Sequence, residues 1–341
     1  VRDATVTLSH GSGGKAMRDL VSEIFLANFD NPALAPLEDQ ARIDLAELSA
    51  RGDRLAFTTD SYVVNPLFFP GADIGRLAVN GTVNDLAVGG ARPLYLSCAV
   101  ILEEGLPIET LRRVVASMRA AAREAGVVVA TGDTKVVERG SADKLFVNTA
   151  GIGVIPRGIN IGAERARPGD VILLNGGLGE HGVAILNARE GLGLSTEIGS
   201  DCQPLHELVE AMLGVCPDLH CLRDATRGGL ATVLNEFAHS ASVGMHIDES
   251  SLPVRDGVKG VCELLGLDPL YLANEGKLVA IAPREAGPAL LDIMRAHPAG
   301  HGSVLIGEVT AEPAGAVVLR TAFGGERLLD MLIGDQLPRI C

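Results

Sequence analysis

A two-domain α/β fold is the architecture this sequence predicts, and three observations predict it. The chain has 341 residues, more than one hydrophobic core usually organises. Short β-branched runs alternate with longer amphipathic segments along its length. A Pro- and Gly-rich stretch, from Ile155-Pro156-Arg157-Gly158 to Arg167-Pro168-Gly169-Asp170, interrupts that alternation near the middle. The expected units are an N-terminal domain over 1–155, a C-terminal α/β domain over 156–335 and a tail over 336–341. Because the tail follows Gly334 and contains Pro338, it reads as a short, movable arm.

Taken in order, Met17, Leu20, Val21, Ile24 and Phe25 recur at helical spacing. Strands are expected at 55–58, 94–101, 127–131 and 145–154, each apolar or β-branched and ended by Asp, Gly or Pro. One helix should begin near Asp73, and another should run from Pro107 to Gly126 with Leu111, Val114, Val115 and Met118 on its buried face. The second half repeats the alternation, with strands at 171–174, 277–281, 304–306 and 316–319 and helices at 205–213 and 289–296. Two α/β halves of similar size are compatible with a distant duplication, although no short repeat is present.

Composition narrows the function. With 47% hydrophobic and 21% charged residues the chain is globular rather than disordered. Its formal charge of −14 opposes general binding to a phosphate backbone, so no nucleic acid partner is expected. The apolar runs near Val127, Val171 and Val304 are broken well short of the ~18 residues a membrane span needs, so no membrane association is expected either. Residues 1–6 lack the pattern of a signal peptide, and six cysteines in a chain of this length read as mostly reduced thiols, which together suggest a cytoplasmic protein.

Several motifs carry chemistry. The run His10-Gly11-Ser12-Gly13-Gly14-Lys15 precedes a helix, where glycines let backbone N–H groups approach an anion; it reads as a phosphate loop or as a plain turn. Asp60, Asp85 (beside Asn84) and Asp133 are oxygen donors of the kind that hold Mg²⁺ together with substrate phosphates. Asp60 and Asp133 are each expected just after a strand, where a side chain projects into a cleft; singly they read equally as turn or cap residues. Lys135 offers a charge to a phosphate oxygen, or is a solvated lysine. Cys216, His220 and Cys221 cluster as metal ligands do, but no second ligand pair stands at a finger-like spacing.

Together, His10-Gly-Ser-Gly-Gly-Lys, Thr59-Asp60-Ser61, Asn80-Gly-Thr-Val-Asn-Asp85-Leu, Gly132-Asp133-Thr-Lys135, Asp224-Ala-Thr-Arg227-Gly-Gly, Asn274-Glu275-Gly276-Lys277 and the final Pro338-Arg339-Ile340-Cys341 resemble the HypE family, the carbamoyl dehydratases of [NiFe]-hydrogenase maturation. That family shares a superfamily with aminoimidazole ribonucleotide synthetase, selenophosphate synthetase and thiamine-monophosphate kinase. The glycine and carboxylate motifs mark the superfamily, and the final four residues mark the family.

The resemblance implies an aminoimidazole ribonucleotide synthetase-like two-domain fold with mixed sheets, a homodimer, and an ATP and Mg²⁺ site in a cleft between the domains. It implies that Cys341 receives a carbamoyl group from the carbamoyltransferase HypF, that ATP-driven dehydration turns the S-carboxamide into a thiocyanate, and that the HypC–HypD complex takes the cyanide. Asp60, Asp85 and Asp133 would hold Mg²⁺, with Asn84 assisting by its amide oxygen. Gly11, Gly13, Gly14 and Lys15 would bind the nucleotide. Lys135 would stabilise the transferring phosphoryl group, and Glu275 is the candidate base, against the alternative of a plain pair with Lys277. Arg227 contacts the tail or a phosphate, or merely opens a helix capped by Asp224 or Thr226. Arg339 beside Cys341 would favour the thiolate. The competing functions are a superfamily ligase or kinase acting on a free small molecule, and a non-catalytic nucleotide sensor whose tail only docks a partner.

Overall fold

The computed structural model describes residues 1–193, 198–332, 334, 337, 340 and 341. The first half opens with a tight turn at Leu8–Gly11 and helix α1 (Lys15–Leu20), which continues through a wider helical turn, Val21–Leu26, into α2 (Ala27–Phe29). Then come α3 (Leu45–Arg51), β1 (Arg54–Tyr62), the small hairpin β2 (Phe68–Phe69) and β3 (Ala72–Asp73), α4 (Ile74–Val88), β4 (Arg92–Glu103), α5 (Ile108–Glu124), β5 (Val128–Val137) and β6 (Leu145–Ile155). The second half comprises β7 (Val171–Leu174), α6 (Glu180–Glu190), α7 (His206–Val215), β8 (Cys221–Asp224), α8 (Gly229–Ala241), β9 (Gly244–Asp248) and α9 (Asp256–Leu265). It closes with β10 (Leu278–Ala282), α10 (Gly287–Ala296), β11 (Val304–Thr310), β12 (Val317–Arg320) and β13 (Glu326–Leu328).

Two mixed sheets result. The first has the order β1-β6-β4-β5, antiparallel except for the parallel β4–β5 pair. The second has seven strands in the order β13-β12-β9-β11-β7-β10-β8, with β9 and β12 parallel. Strands β1 and β5 are longer than the sequence suggests, and each runs through the aspartate read there as its end. Asp60 pairs with Thr149, and Gly132 and Asp133 pair with Cys98 and Ala99. Gly132 is a close approach rather than a terminator, since a Cβ there would lie 2.4 Å from the Cys98 carbonyl oxygen.

Helix α4 explains how the halves lock together. Asp73 caps it by accepting from Gly75 N–H and Arg76 N–H, and the helix is buried almost all round. Gly75 lets α5 approach, because a Cβ at that position would stand 2.4 Å from the Val114 carbonyl oxygen. Helix α5 is amphipathic as expected, with Leu111, Val114, Val115 and Met118 inward. The first core also takes in Ile185, Cys202, Ala273 and Ile340 from the second half, while Ala87 and Val88 of α4 join a core of the second half.

The first sheet has one covered and one open face. Thr58, Asp60 and Tyr62 of β1 alternate toward α4, whereas Leu55 and Phe57 point away and are 57% and 73% exposed. Among the described residues no helix is long and apolar enough to cross a membrane.

Candidate active site

A group of ionisable side chains converges where α4, β1, β8 and the loop before β10 meet. Asp85 on α4 accepts a 3.0 Å hydrogen bond from the Thr58 hydroxyl of β1. Burial, with Asp60 adding, pushes its carboxyl up to about 6 against that hydroxyl's pull. Asp224, the last residue of β8, is pushed up to about 7, first by burial and then by Asp85. Asp85 and Asp224 line a cleft of about 480 Å³ together with Arg223, Thr226 and Arg227. Arg227 lies 3.9 Å from Asp60 and also lines an adjoining cleft of about 460 Å³ that holds Cys341.

The crowding of Asp60, Asp85 and Asp224 has a cost that is read from pH. A carboxyl whose proton affinity is higher folded than unfolded stabilises the fold while protonated, and that stability is lost as pH rises through the folded value. For Asp224 the window runs from about 4 to about 7. Asp224→Asn is therefore expected to raise the melting temperature by roughly 2–4 °C at pH 8 and to leave it almost unchanged at pH 4. Paired thermal melts at the two pH values check this.

Cys341 is docked rather than free. Its carbonyl accepts from Val63 N–H at 3.0 Å, and its thiol is hydrogen-bonded by Arg227. Burial and then Glu275 push the thiol up to about 12, with Arg227 opposing. In this position it is a protonated thiol, contrary to the thiolate expected from the sequence, because removal from water outweighs the guanidinium. Pro338 and Arg339 lie outside the described residues.

Glu275 is buried, and among the described residues its Oε1 has no hydrogen-bond partner. Burial raises its proton affinity well above the ordinary, and Asp201, Asp224, Asp60 and Asp85 raise it further. It is not paired with Lys277, whose ammonium instead lies 3.1 Å from Asp201. Asp201 also accepts from the backbone N–H of Glu275 at 3.0 Å, which fixes where that carboxyl starts.

Other expected site residues are placed differently. Asn84 does not aim its amide oxygen into the cleft: Oδ1 accepts from Leu205 N–H at 2.8 Å, while its nitrogen donates to the carbonyls of Gln203 and Glu275. It is a clasp between the halves, and its polar atoms are occupied because it is buried between two backbones. Asp133 and Lys135 are 3.4 Å apart on β5, at the edge of the sheet opposite β1. Through the ladder Asp133 shares a face with Ala99, Asn148 and Ser61, whereas Asp60 shares the other face with Thr149. Three strand spacings, about 14 Å, and the thickness of the sheet therefore separate Asp133 from Asp60 within one chain. The glycine loop belongs with β5, since a Cβ on Gly11 would meet Val136 at 2.9 Å. Gly13 has φ +77°, and Gly14 precedes Lys15, the first residue of α1.

Helix α8 starts at Gly229 behind Gly228, which has φ +74°; neither Asp224 nor Thr226 caps it, because Asp224 ends the strand before it. Asp224 as a cleft carboxylate, Asp201 and His181 were not singled out from the sequence. Asp224 stands at the end of a strand, where side chains reach clefts, but that strand is four residues long and no alternation announces it. His220 is held by Asp170 at 2.7 Å, and Cys221 donates to the Gly162 carbonyl. Among the described residues no group of three His, Cys, Asp or Glu side chains could hold a metal ion. Asp85 and Asp224, which line one cleft, still fit Mg²⁺, which takes one or two carboxylates and completes its shell with water and phosphate oxygens.

The domain pattern and the cleft define a class. The AIR synthase related protein N-terminal domain matches residues 37–155, and the corresponding C-terminal domain matches residues 167–320. Carbamoyl dehydratase HypE of Rhodobacter capsulatus is 57% identical over 341 residues, covering 100% of this chain and 99% of the relative. A crystal structure of the hydrogenase maturation protein HypE in complex with ATP superposes with a TM-score of 0.94 at 53% identity, over 99% of this chain and 100% of that one. HypE in a HypE–HypF complex gives 0.80 at 45% identity, over 92% and 99%. Within the AIR synthase-related class, the chain belongs to the HypE family.

Proposed function

We propose that this protein is the ATP-dependent carbamoyl dehydratase that supplies cyanide for hydrogenase iron, with Cys341 as the carrier of the reacting group. The observation that carries the reading is the docking of Cys341 beside Glu275 and Arg227, next to the acidic cleft. The relatives named above, one of them bound to ATP, support the nucleotide as co-substrate.

The chemistry balances as follows. In Cys341–S–C(=O)NH₂ the amide oxygen attacks the γ-phosphorus of ATP, ADP leaves, and one N–H proton is lost. Removal of the second N–H proton from the phosphorylated intermediate expels phosphate and leaves Cys341–S–C≡N. Glu275 takes that second proton: it is buried, its Oε1 has no partner among the described residues, and a carboxylate with raised proton affinity is a stronger base. Arg227, between the two clefts, orients the sulfur and faces the developing negative charge. Asp85 and Asp224 would hold Mg²⁺, which when bound would neutralise phosphate charge. Because the docked thiol is protonated, loading by a HypF-type carbamoyltransferase takes place with the tail out of the cleft, and the HypC–HypD complex receives the cyanide from the exposed tail. The solved HypE–HypF complex supports the first of these partners.

A homodimer completes the site. Residues 1–155 form the ATP-binding and dimerisation unit, and residues 156–335 carry Glu275 and Arg227. The open face with Leu55 and Phe57, and the free edges β1 and β5, favour a two-fold pair in which β5 of each copy lies along β1 of the other. That brings the β5 edge of one copy, with the glycine loop packed on it, alongside β1 of its partner.

The test is the mass of the peptide ending in Cys341 after incubation with carbamoyltransferase, carbamoyl phosphate and Mg²⁺, before and after ATP is added. The expected result is a carbamoyl adduct on Cys341 that loses one water only after ATP. An adduct that never dehydrates, or turnover of a free small molecule that survives Cys341→Ala, would overturn the reading.

A further inference from the structure

Docking of the tail is governed by groups that do not touch sulfur. His181 on α6 is fully buried, and its Nε2 lies 2.7 Å from the Ile340 carbonyl oxygen. Its Nδ1 lies 2.8 Å from the Ser200 hydroxyl oxygen. The Ile340 carbonyl can only accept, so the neutral ring carries its proton on Nε2, aimed at the tail, and Nδ1 accepts from the Ser200 hydroxyl, whose oxygen also accepts from Cys202 N–H at 3.1 Å. The Phe69 ring stands edge-on to the imidazole at 5.6 Å and 85°, fixing its plane. Ser200 is held in turn by its N–H, which donates to the Pro70 carbonyl at 2.7 Å. Burial lowers the proton affinity of His181, so the imidazole stays neutral.

We propose that His181 is the latch of the tail, a positioning residue that seats the chain at Cys341 by binding its backbone and is therefore indifferent to what the sulfur carries. The grip has three points: His181 on the Ile340 carbonyl, Val63 N–H on the Cys341 carbonyl, and the Ile340 side chain, 7% exposed, in the first core. None involves Sγ, so the same three contacts are available to bare, carbamoylated and cyanated tails. Glu275 and Arg227, which face the sulfur, sense the cargo. The statement about cargo rests on the dehydratase reading; the latch itself does not.

The experiment is alkylation of Cys341 by iodoacetamide in the full chain at fixed pH, followed by peptide mass. The other five cysteines are buried, which keeps the readout on Cys341. When docking is fast relative to alkylation, the rate is proportional to the undocked fraction. His181→Phe, which keeps the volume and removes the donor, is expected to speed alkylation about tenfold. His181→Gln, whose amide nitrogen can donate from a similar place, is expected to restore slow alkylation. Ser200→Ala, which frees the ring to change tautomer without touching the tail, should move the rate the same way by a smaller factor and keeps the test alive if His181→Phe fails to fold. On carbamoyl-loaded protein, dehydration in the His181→Phe variant should fall only as the docked fraction falls, the complement of the undocked fraction that alkylation reports, while loading does not fall.

An unchanged alkylation rate in folded His181→Phe, or in Ser200→Ala should the former not fold, would overturn the latch, as would a Gln variant no slower than Phe. If Cys341 never accepts a carbamoyl group, the dehydratase reading fails while the alkylation rates still decide the latch.

Discussion

Glu275→Gln is expected to leave Cys341 fully chargeable with a carbamoyl group and to slow its conversion to the thiocyanate by about 10²–10⁴-fold. The substitution keeps volume and most polarity but removes the basic carboxylate. Loading takes place away from the cleft, so only the dehydration step should respond. The pH profile sharpens this. Glu275 acts when ionised, and burial followed by the charges of Asp201, Asp224, Asp60 and Asp85 raises its proton affinity. Below the folded value the carboxyl is protonated and idle, so single-turnover dehydration should climb with pH through a range well above that of an ordinary glutamate. Asp201→Asn removes a like charge and leaves Lys277 unpaired, both of which favour ionised Glu275, and should move the limb to lower pH. A Glu275→Gln variant that dehydrates within a few-fold of the parent would remove Glu275 from the reaction.

The fold class was legible because its signals are local: helical stripes such as that of α5, β-branched runs such as β6 and β7, and a cap such as Asp73. Strand ends were less legible. Asp60 and Asp133 look like terminators, yet a ladder partner on a neighbouring strand keeps each of them inside its own. Strands β8, β9 and β13 are short and lack the alternation that announces a half-buried strand. The chemistry-bearing residue types of the site were readable, but their grouping was not. Spacing along a chain does not say which face of a sheet a strand presents, and one residue of register decides it. Asn84 illustrates the same limit, since its neighbour Asp85 aims into the cleft while its own amide is consumed clasping Gln203, Leu205 and Glu275. The environment of Cys341 depends on a tail folding back across some 280 residues of chain onto Val63, which no local pattern encodes.

Mixing two inactive variants should restore activity. Within one chain the candidate groups divide into Asp60, Asp85, Asp224, Arg227, Glu275 and Cys341 on one side, and Asp133 and Lys135 at the opposite edge and face of the sheet, with the glycine loop packed at that same edge. A phosphoryl group cannot touch both sets across about 14 Å and a sheet's thickness. If a two-fold partner supplies the second set, Lys135→Ala and Glu275→Gln damage the same composite site from different chains. A mixed dimer of the two then holds one site with both lesions and one with neither. Random reassortment makes half of all dimers mixed, so about a quarter of the parental dehydration rate should return from two preparations that are each nearly inactive. The measurement is dehydration of pre-loaded Cys341 in the unseparated mixture after the variants are co-refolded or co-expressed; mixed dimers isolated by two different tags should reach about half the parental rate. Sites contained within single chains would leave every site in the mixed dimer with one lesion and no activity to recover, and Lys135 would then lose its place in the reaction. Recovery near a quarter would make the dimer part of the catalyst, since neither chain alone would carry a complete set of groups around the nucleotide.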